Sequence, residues 1–205
     1  MRDGKEEVNN YIETLDTTKP IWDRIFLVHS LVVIGTKEKD GTYDLAPKHM
    51  AIPMGWQNYF GFVCTPKHST YQNIKREKYF TVSYPRPDDV VMASLTATKR
   101  CDDKSKPGLQ MLPTTPANEI DGVFLVDSYV YLECTLDRIV DGFGENSLIV
   151  GQIIAASAHH DALRFSDQDD SDMIYHSPLL AYLSPGRFAE IKESYAFPFP
   201  RKFKR

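Results

Sequence analysis

The chain has 205 residues, a length that fits one well-filled domain with some length left for loops or an arm. Hydrophobic residues make up 42% and charged residues 25%, and no apolar run reaches the roughly 18 residues that a membrane helix needs. The net charge of −4 argues against nucleic-acid binding, which usually shows a clustered basic excess, although a short basic cluster, RKFKR, stands at 201–205.

The cysteines argue against a metal or disulfide framework. Cys64, Cys101 and Cys134 are odd in number, lie far apart and form no CxxC pair. The sequence begins with charged residues and shows no apolar signal region. Reduced thiols without a secretory signal predict a cytoplasmic protein.

The first part of the chain reads as an arm followed by strands. We predict a polar arm over residues 1–20 and an apolar, β-branched strand over 25–36. Asp40-Gly41 is a strong hairpin-turn signal, so a second strand should follow it. The aromatic and β-branched stretch YFGFVCT at 59–65 predicts a third strand.

The middle of the chain alternates short helices and strands. STYQNIKREKY predicts a short helix with Ser69 or Thr70 as its N-cap. A strand at 79–85 and a second short helix at 88–95 follow. The stretch 98–121 is rich in Lys, Pro, Thr and Asp and should be mostly loop, with one helical turn at PGLQML.

Two long strands complete the pattern. They span 124–140 and 147–160 and are joined by the Gly-rich turn DGFGEN. The rough alternation in YLECTLDRI predicts a strand with one buried and one wet face. Six strands with short intervening helices predict a mainly β fold, an antiparallel six-stranded barrel within a single domain over 1–205, with 160–205 as a C-terminal extension.

One candidate site is the loop TPKHSTYQNI, which follows a strand and opens a helix. The free N–H groups and the dipole of a helix N-terminus attract anions. Hydroxyls, an amide and cationic side chains beside such an N-terminus would suit a phosphate group. A capped helix preceded by a charged loop is the alternative interpretation.

The second candidate site is DLAPKHM, at residues 44–50. Pro47 cannot donate to a β-ladder, so this segment should form an edge, a bulge or a strand end. Ala46 is small enough to let a planar ligand approach the backbone, and Lys48 and His49 supply positive charge or donors. A kinked edge strand without a ligand is the alternative.

Taken in order, these stretches resemble one family. Four stretches are similar to the FMN-binding split-barrel proteins of the flavin reductase type, which include flavoredoxins. They are DGTYDLAPKHM, FVCTPKHSTYQNI, YFTVSYP and YLECTLDRIVDGFGENSLIVGQII. The resemblance covers residues 25 to about 160, with a weaker match in PLLAYLSPGRFA. It implies a homodimer of six-stranded split barrels that holds one FMN per subunit near the dimer interface.

The resemblance also implies a set of cofactor-binding residues. The segment 44–50 would line the isoalloxazine, mainly through its backbone, and the loop after the third strand would face the ribityl chain and phosphate. The implied set is Asp44, Leu45, Ala46, Pro47, Lys48, His49, Met50, Cys64, Thr65, His68, Ser69, Thr70 and Asn73. No catalytic side chain is assigned, because the cofactor carries the chemistry in such proteins.

Three positions depart from the family pattern. Asp44 stands where Asn is frequent, His49 where Ser is frequent, and Asn146 where part of the family has a His near the nicotinamide site. The change at Asn146 affects the expected use of NAD(P)H more than that of flavin. The function expected is a flavin-dependent oxidoreductase fed by NAD(P)H or a protein donor; the alternatives are a non-catalytic flavin- or haem-binding electron carrier and a structural dimerisation barrel.

Other features favour ordinary structural roles. SDQDDSD at 166–172 lacks the Gly and terminal Glu of a calcium loop and should be a solvated acidic loop. His159 and His160 are expected on the surface and Cys64 as a buried thiol, with metal binding and redox chemistry as the respective alternatives. Trp56 and Tyr59 would stack on a ring or pack across a dimer.

Overall fold

The computed structural model describes residues 11–101, 106–165 and 167–200. The RKFKR cluster and the first half of the predicted arm lie outside the described residues. The helices are α1 (Ser69–Glu77), α2 (Val90–Leu95), α3 (Pro107–Gln110) and α4 (Asp170–His176). The strands are β1 (Leu27–Ser30), β2 (Val32–Lys37), β3 (Tyr43–Lys48), β4 (Ala51–Pro53), β5 (Tyr59–Cys64), β6 (Tyr79–Tyr84), β7 (Thr114–Pro116), β8 (Val123–Leu125), β9 (Val130–Phe143), β10 (Asn146–Ala158), β11 (Leu179–Ser184) and β12 (Arg187–Ile191).

A curled antiparallel sheet of seven strands forms the body of the fold, in the order β3-β2-β6-β9-β10-β5-β4. This confirms the mainly β, split-barrel prediction. The strand count is seven instead of six, because the short β4 pairs with β5 as a separate edge strand. The sheet's inner face buries an aromatic core that includes Phe60, Phe62 and Phe80.

The hairpin before the candidate site forms, but the single strand predicted over 25–36 was wrong: β1 and β2 divide this run and belong to different sheets. β2 and β3 pair antiparallel, and Glu38 N–H donates to the Thr42 carbonyl across the turn. Gly41 takes a φ of 86° there, a left-handed conformation that an L side chain rarely adopts. In the strand order β3 is the outermost strand of the sheet, so one side of its backbone forms no ladder hydrogen bonds.

Two sequence expectations were wrong along the second half of the chain. The predicted strand 124–140 is two strands, because Asp127 adopts a φ of 64° and interrupts the run between β8 and β9. The acidic segment 166–172 is not wholly loop: Asp169 caps helix α4 by accepting from the Ser171 and Asp172 N–H groups, and Ser166 lies outside the described residues. The C-terminal extension contains β11 and β12, which join β1 in a three-stranded sheet.

The alternation predicted for β9 fails at one residue. Glu133 lies on the face expected to be wet but is only 3% exposed. Its carboxylate accepts three backbone hydrogen bonds, from the N–H groups of Asn118, Glu119 and Ile120, at 2.7 to 3.0 Å. These bonds fix the 117–122 loop against the sheet and replace the water that a buried carboxylate loses.

Candidate functional site

Edge strand β3 forms one side of the candidate site. Asp44 and Leu45 are buried and point into the protein: Leu45 packs in a second core cluster, and the Asp44 carboxylate pairs with Lys106. Ala46 is buried, Pro47, Lys48 and His49 are half-buried, and Met50 is 42% exposed. A ligand on the Lys48 side of this strand would therefore meet backbone, the Lys48 side chain and Met50, but not the Asp44 or Leu45 side chains. The His49 ring instead stacks on Tyr182, with centroids 4.5 Å apart.

The loop between β5 and α1 forms the opposite side. His68, not Ser69 or Thr70, is the N-cap of α1, so the predicted cap was wrong. His68 has the extended backbone of a cap residue but makes no side-chain capping bond, whereas Ser69 and Thr70 are already helical. The first turn of α1 thus lacks the side-chain acceptor that normally satisfies helix N–H groups.

The hydroxyl and amide residues of this loop differ in their availability. Thr65 and Ser69 are half-buried, whereas Thr70 and Asn73 are each 2% exposed. Asn73 donates to the Thr36 hydroxyl at 3.1 Å and accepts from the Arg76 guanidinium at 3.1 Å. Its amide therefore ties α1 to β2, which is a structural role.

Lys48 joins the two sides electrostatically. Burial raises the pKa of the Cys64 thiol, whereas the neighbouring Lys48 ammonium acts in the opposite direction. Burial lowers the pKa of His68, and the positive charge of Lys48 lowers it further. The three side chains predicted as site residues from separate motifs therefore lie in one neighbourhood, with Lys48 extending from β3 toward the β5–α1 loop.

Lys106 is a residue of this region that the sequence reasoning missed. Its side chain is 9% exposed, and its ammonium donates to Asp44 at 3.0 Å, to the Leu45 carbonyl at 2.9 Å and to the Thr96 carbonyl at 2.7 Å. Arg100 adds a second contact to Asp44 at 3.2 Å. No local signal marks Lys106, because it stands among other lysines and acids in a loop-like stretch.

A cleft of about 260 Å³ lies beside the β5–α1 loop. Thr65, Pro66 and Lys67 line one side, and the β9–β10 turn, including Asn146, lines the other. Lys67 pairs with Glu145 across it at 3.1 Å, with both side chains largely exposed. Asn146, noted from the sequence as a departure from the family, thus lies across the cleft from the loop that contains Thr65 and His68.

The other candidates stay apart from this region. His159 Nδ1 contacts Asp161 at 3.0 Å on the surface, and the His160 ring packs against Phe165. Among the residues that the structure describes, no three His, Cys, Asp or Glu side chains are grouped to hold a metal ion. Within the same ranges no helix is long and apolar enough to span a membrane.

The cysteines differ sharply in expected reactivity. Burial raises the pKa of Cys134 to about 12, and burial is also the main cause that raises the pKa of Cys64. Cys101 is exposed. Because the thiolate is the nucleophile, we expect Ellman's reagent to titrate one thiol rapidly in the native protein and three after unfolding, and Cys101→Ser to remove the rapid one. Rapid native reaction of the Cys101→Ser protein would contradict this burial pattern.

The chain is similar to one protein family in sequence and to several solved structures in fold. A model of the flavin reductase like domain matches residues 26–182. Flavoredoxin from Methanosarcina acetivorans superposes with a TM-score of 0.73 at 16% identity, covering 93% of this chain and 96% of its own. An FMN-binding protein from Thermus thermophilus, solved with 1-cyclohex-2-enone, gives 0.73 at 16% identity over 90% and 99%. The 2-nitrobenzoate 2-nitroreductase from Pseudomonas fluorescens gives 0.71 at 17% identity over 86% and 87%.

At these identities the structural likeness shows the fold alone. No curated protein sequence matches the chain.

Proposed function

Because the chain belongs to the flavin reductase-like family, we propose that it is a flavoprotein oxidoreductase that binds FMN and passes electrons from NAD(P)H or a protein donor to an acceptor. The observation that carries the proposal is the pairing of two features at one place. The edge strand that carries Lys48 lies near the loop that carries His68, and the helix after this loop, α1, begins without a side-chain cap. Bound FMN would carry the hydride or electrons, while the protein supplies position and charge.

The N-terminus of α1 supports the phosphate end of the proposal. The N–H groups of the first turn and the helix dipole favour an anion, and His68 leaves them without a side-chain acceptor. Thr65 and Ser69 are open enough to donate their hydroxyls to a phosphate. Thr70 and Asn73 are too buried for direct contact and would act by holding the helix in place.

The edge of β3 supports the ring end. Backbone groups on the unpaired edge of β3 are available for the polar edge of a flat ligand, apart from the Leu45 carbonyl, which accepts from Lys106, and Pro47, which has no N–H. Lys48 would hold a positive charge beside such a ligand, where it favours added negative charge. Only the backbone of Asp44 and Leu45 could contact a ligand, because the Asp44 side chain pairs with Lys106 and the Leu45 side chain packs in the core.

Lys48 gives a direct test of this side of the site. We expect Lys48→Met to weaken FMN binding about tenfold, because a half-buried ammonium near the flavin is lost. Lys39→Met is the matched control, since Lys39 is exposed in the β2–β3 turn and should leave the affinity unchanged. Fluorescence titration of FMN measures both. Equal affinities for Lys48→Met and wild type would remove Lys48 from the site.

We also propose that the protein is a homodimer located in the cytoplasm. Several apolar side chains near β4, β5 and β10 are exposed in the single chain, among them Ile52, Trp56 and Ile154. Their exposure supports a homodimer, in which a second copy would cover them. Light scattering should give twice the chain mass, and a monomer would overturn this part. A cytoplasmic location is proposed from the free cysteines.

An electron carrier without direct NAD(P)H use is the second candidate. Asn146 favours it, because this residue stands beside the β5–α1 loop where part of the family has His. Anaerobic mixing with NADH or NADPH separates the two candidates. Loss of the visible flavin absorption supports a reductase, whereas an unchanged spectrum that a protein donor or dithionite can bleach supports the carrier.

A further inference from the structure

A second cleft lies at the C-terminal end of β3, away from the cleft beside the β5–α1 loop. Its volume is about 330 Å³, and it opens between helix α2, the end of β3 and the β11–β12 hairpin. This volume falls at the lower end of the roughly 300–1,000 Å³ typical of small-molecule sites. Most of the lining is apolar, including Pro47, Ala97 and Phe188.

The cleft has an aromatic wall. The His49 ring stacks on Tyr182 with centroids 4.5 Å apart and an interplanar angle of 29°, and His29 meets His49 edge-on at 5.5 Å. Burial lowers the pKa of His49, and the nearby His29 and Lys48 lower it further, so near neutral pH the ring is an uncharged aromatic surface. Phe188 adds a third ring at the rim.

Two polar groups of the cleft are available to a ligand. The Tyr182 hydroxyl oxygen accepts from the Gly186 N–H at 3.0 Å, which leaves its own proton free to donate. The exposed Arg187 guanidinium forms no ion pair with any residue in the described ranges. None of the described residues that line the cleft is acidic, so its charge is positive.

From these contacts we propose that the cleft binds a small aromatic carboxylate. The ring would lie against the aromatic wall and the apolar surface of α2, and the carboxylate would pair with Arg187 and accept from the Tyr182 hydroxyl. Guanidinium and phenol together suit a planar anion that accepts two hydrogen bonds. Aliphatic acids would lack the stacking, and neutral aromatics would lack the ion pair.

The cleft is separate from the flavin groove proposed above. Pro47 and His49 line the cleft, whereas the intervening Lys48 extends toward Cys64 and His68. Pro47 and Lys48 are adjacent residues of β3 and so point to opposite sides, and His49 follows in the bend after the strand. The proposal therefore does not depend on flavin binding, and the two can fail independently.

Calorimetric titration with benzoate tests the proposal, with benzyl alcohol and cyclohexanecarboxylate as comparators. We expect one benzoate per chain and weaker binding of both comparators. Arg187→Gln should weaken benzoate about fivefold, the range of an exposed ion pair, and Ala97→Phe should abolish binding by filling the cleft. Arg138→Gln, which removes an exposed arginine from β9, should change nothing. Circular dichroism should show all variants folded.

Several outcomes would overturn the site. These are no benzoate binding at millimolar concentration, equal affinity for the aliphatic acid, or an unchanged affinity in the folded Ala97→Phe protein. The titration is repeated with saturating FMN. Unchanged benzoate affinity supports two separate sites, and displacement of benzoate by FMN overturns the separate cleft.

Discussion

Lys106→Met should lower the free energy of unfolding by about 3 kcal/mol, among the largest effects expected of a single substitution here. The Lys106 ammonium has all three of its N–H groups bonded, to Asp44 and to the Leu45 and Thr96 carbonyls. Methionine keeps most of the chain length but leaves the Asp44 carboxylate, 5% exposed, with Arg100 as its one remaining ion-pair partner among the described residues. Urea unfolding measures the loss.

The matched control removes an exposed pair. Lys67→Met breaks the bridge to Glu145, in which both side chains are at least 75% exposed, and should change stability by less than about 1 kcal/mol. The double variant Lys106→Met, Asp44→Asn should recover part of the loss, because the buried negative charge goes too. Equal stability of Lys106→Met and Lys67→Met would show that the buried pair does not hold the start of β3 in place.

Glu133→Ala should cost about 3 kcal/mol of stability, and Glu133→Gln about 2 kcal/mol. The alanine leaves three backbone N–H groups without their acceptor, and the glutamine replaces one acceptor oxygen by an N–H₂ that faces other donors. The same loop carries Asp121, which binds Lys37 and the Tyr43 hydroxyl, so loosening it should also loosen the start of β3.

Asp137→Asn is the control for Glu133, because it lies on the same strand but is exposed. We expect it to change stability by less than about 0.5 kcal/mol. Hydrogen exchange adds a local readout: the N–H groups of Asn118, Glu119 and Ile120 should exchange faster in Glu133→Gln. Unchanged exchange at these three positions would contradict the role assigned to the carboxylate.

The local patterns of the sequence predicted much of the sheet. Asp40-Gly41 placed the β2–β3 hairpin, and Pro47 placed β3 at an edge, because turn geometry and a missing N–H act over a few residues. The run 124–140 was not divided in advance, because Asp adopts a positive φ more often than most residue types but still only in a minority of cases. β11 and β12 were not predicted: β11 pairs with β1, a distant part of the chain, and β12 extends this sheet by pairing with β11.

The candidate site was predictable only in part. The motifs around Lys48 and His68 lie far apart in sequence and converge in the fold, and their resemblance to a family linked them in advance. The partners of Asp44 were not predictable, because Lys106 reaches it across more than sixty positions of sequence. The cap at His68 was missed because residue preference favours Ser and Thr, whereas the tertiary position of the loop decides where α1 begins.

The most direct test of the central proposal is a comparison of FMN and riboflavin in parallel fluorescence titrations. The two ligands share the ring and ribityl chain, and only FMN carries the phosphate assigned to the start of α1. We expect FMN to bind at one per chain and riboflavin to bind at least tenfold more weakly, as the loss of charge-assisted hydrogen bonds predicts. Equal affinity for both ligands, or binding of neither, would contradict a flavin held between β3 and the N-terminus of α1.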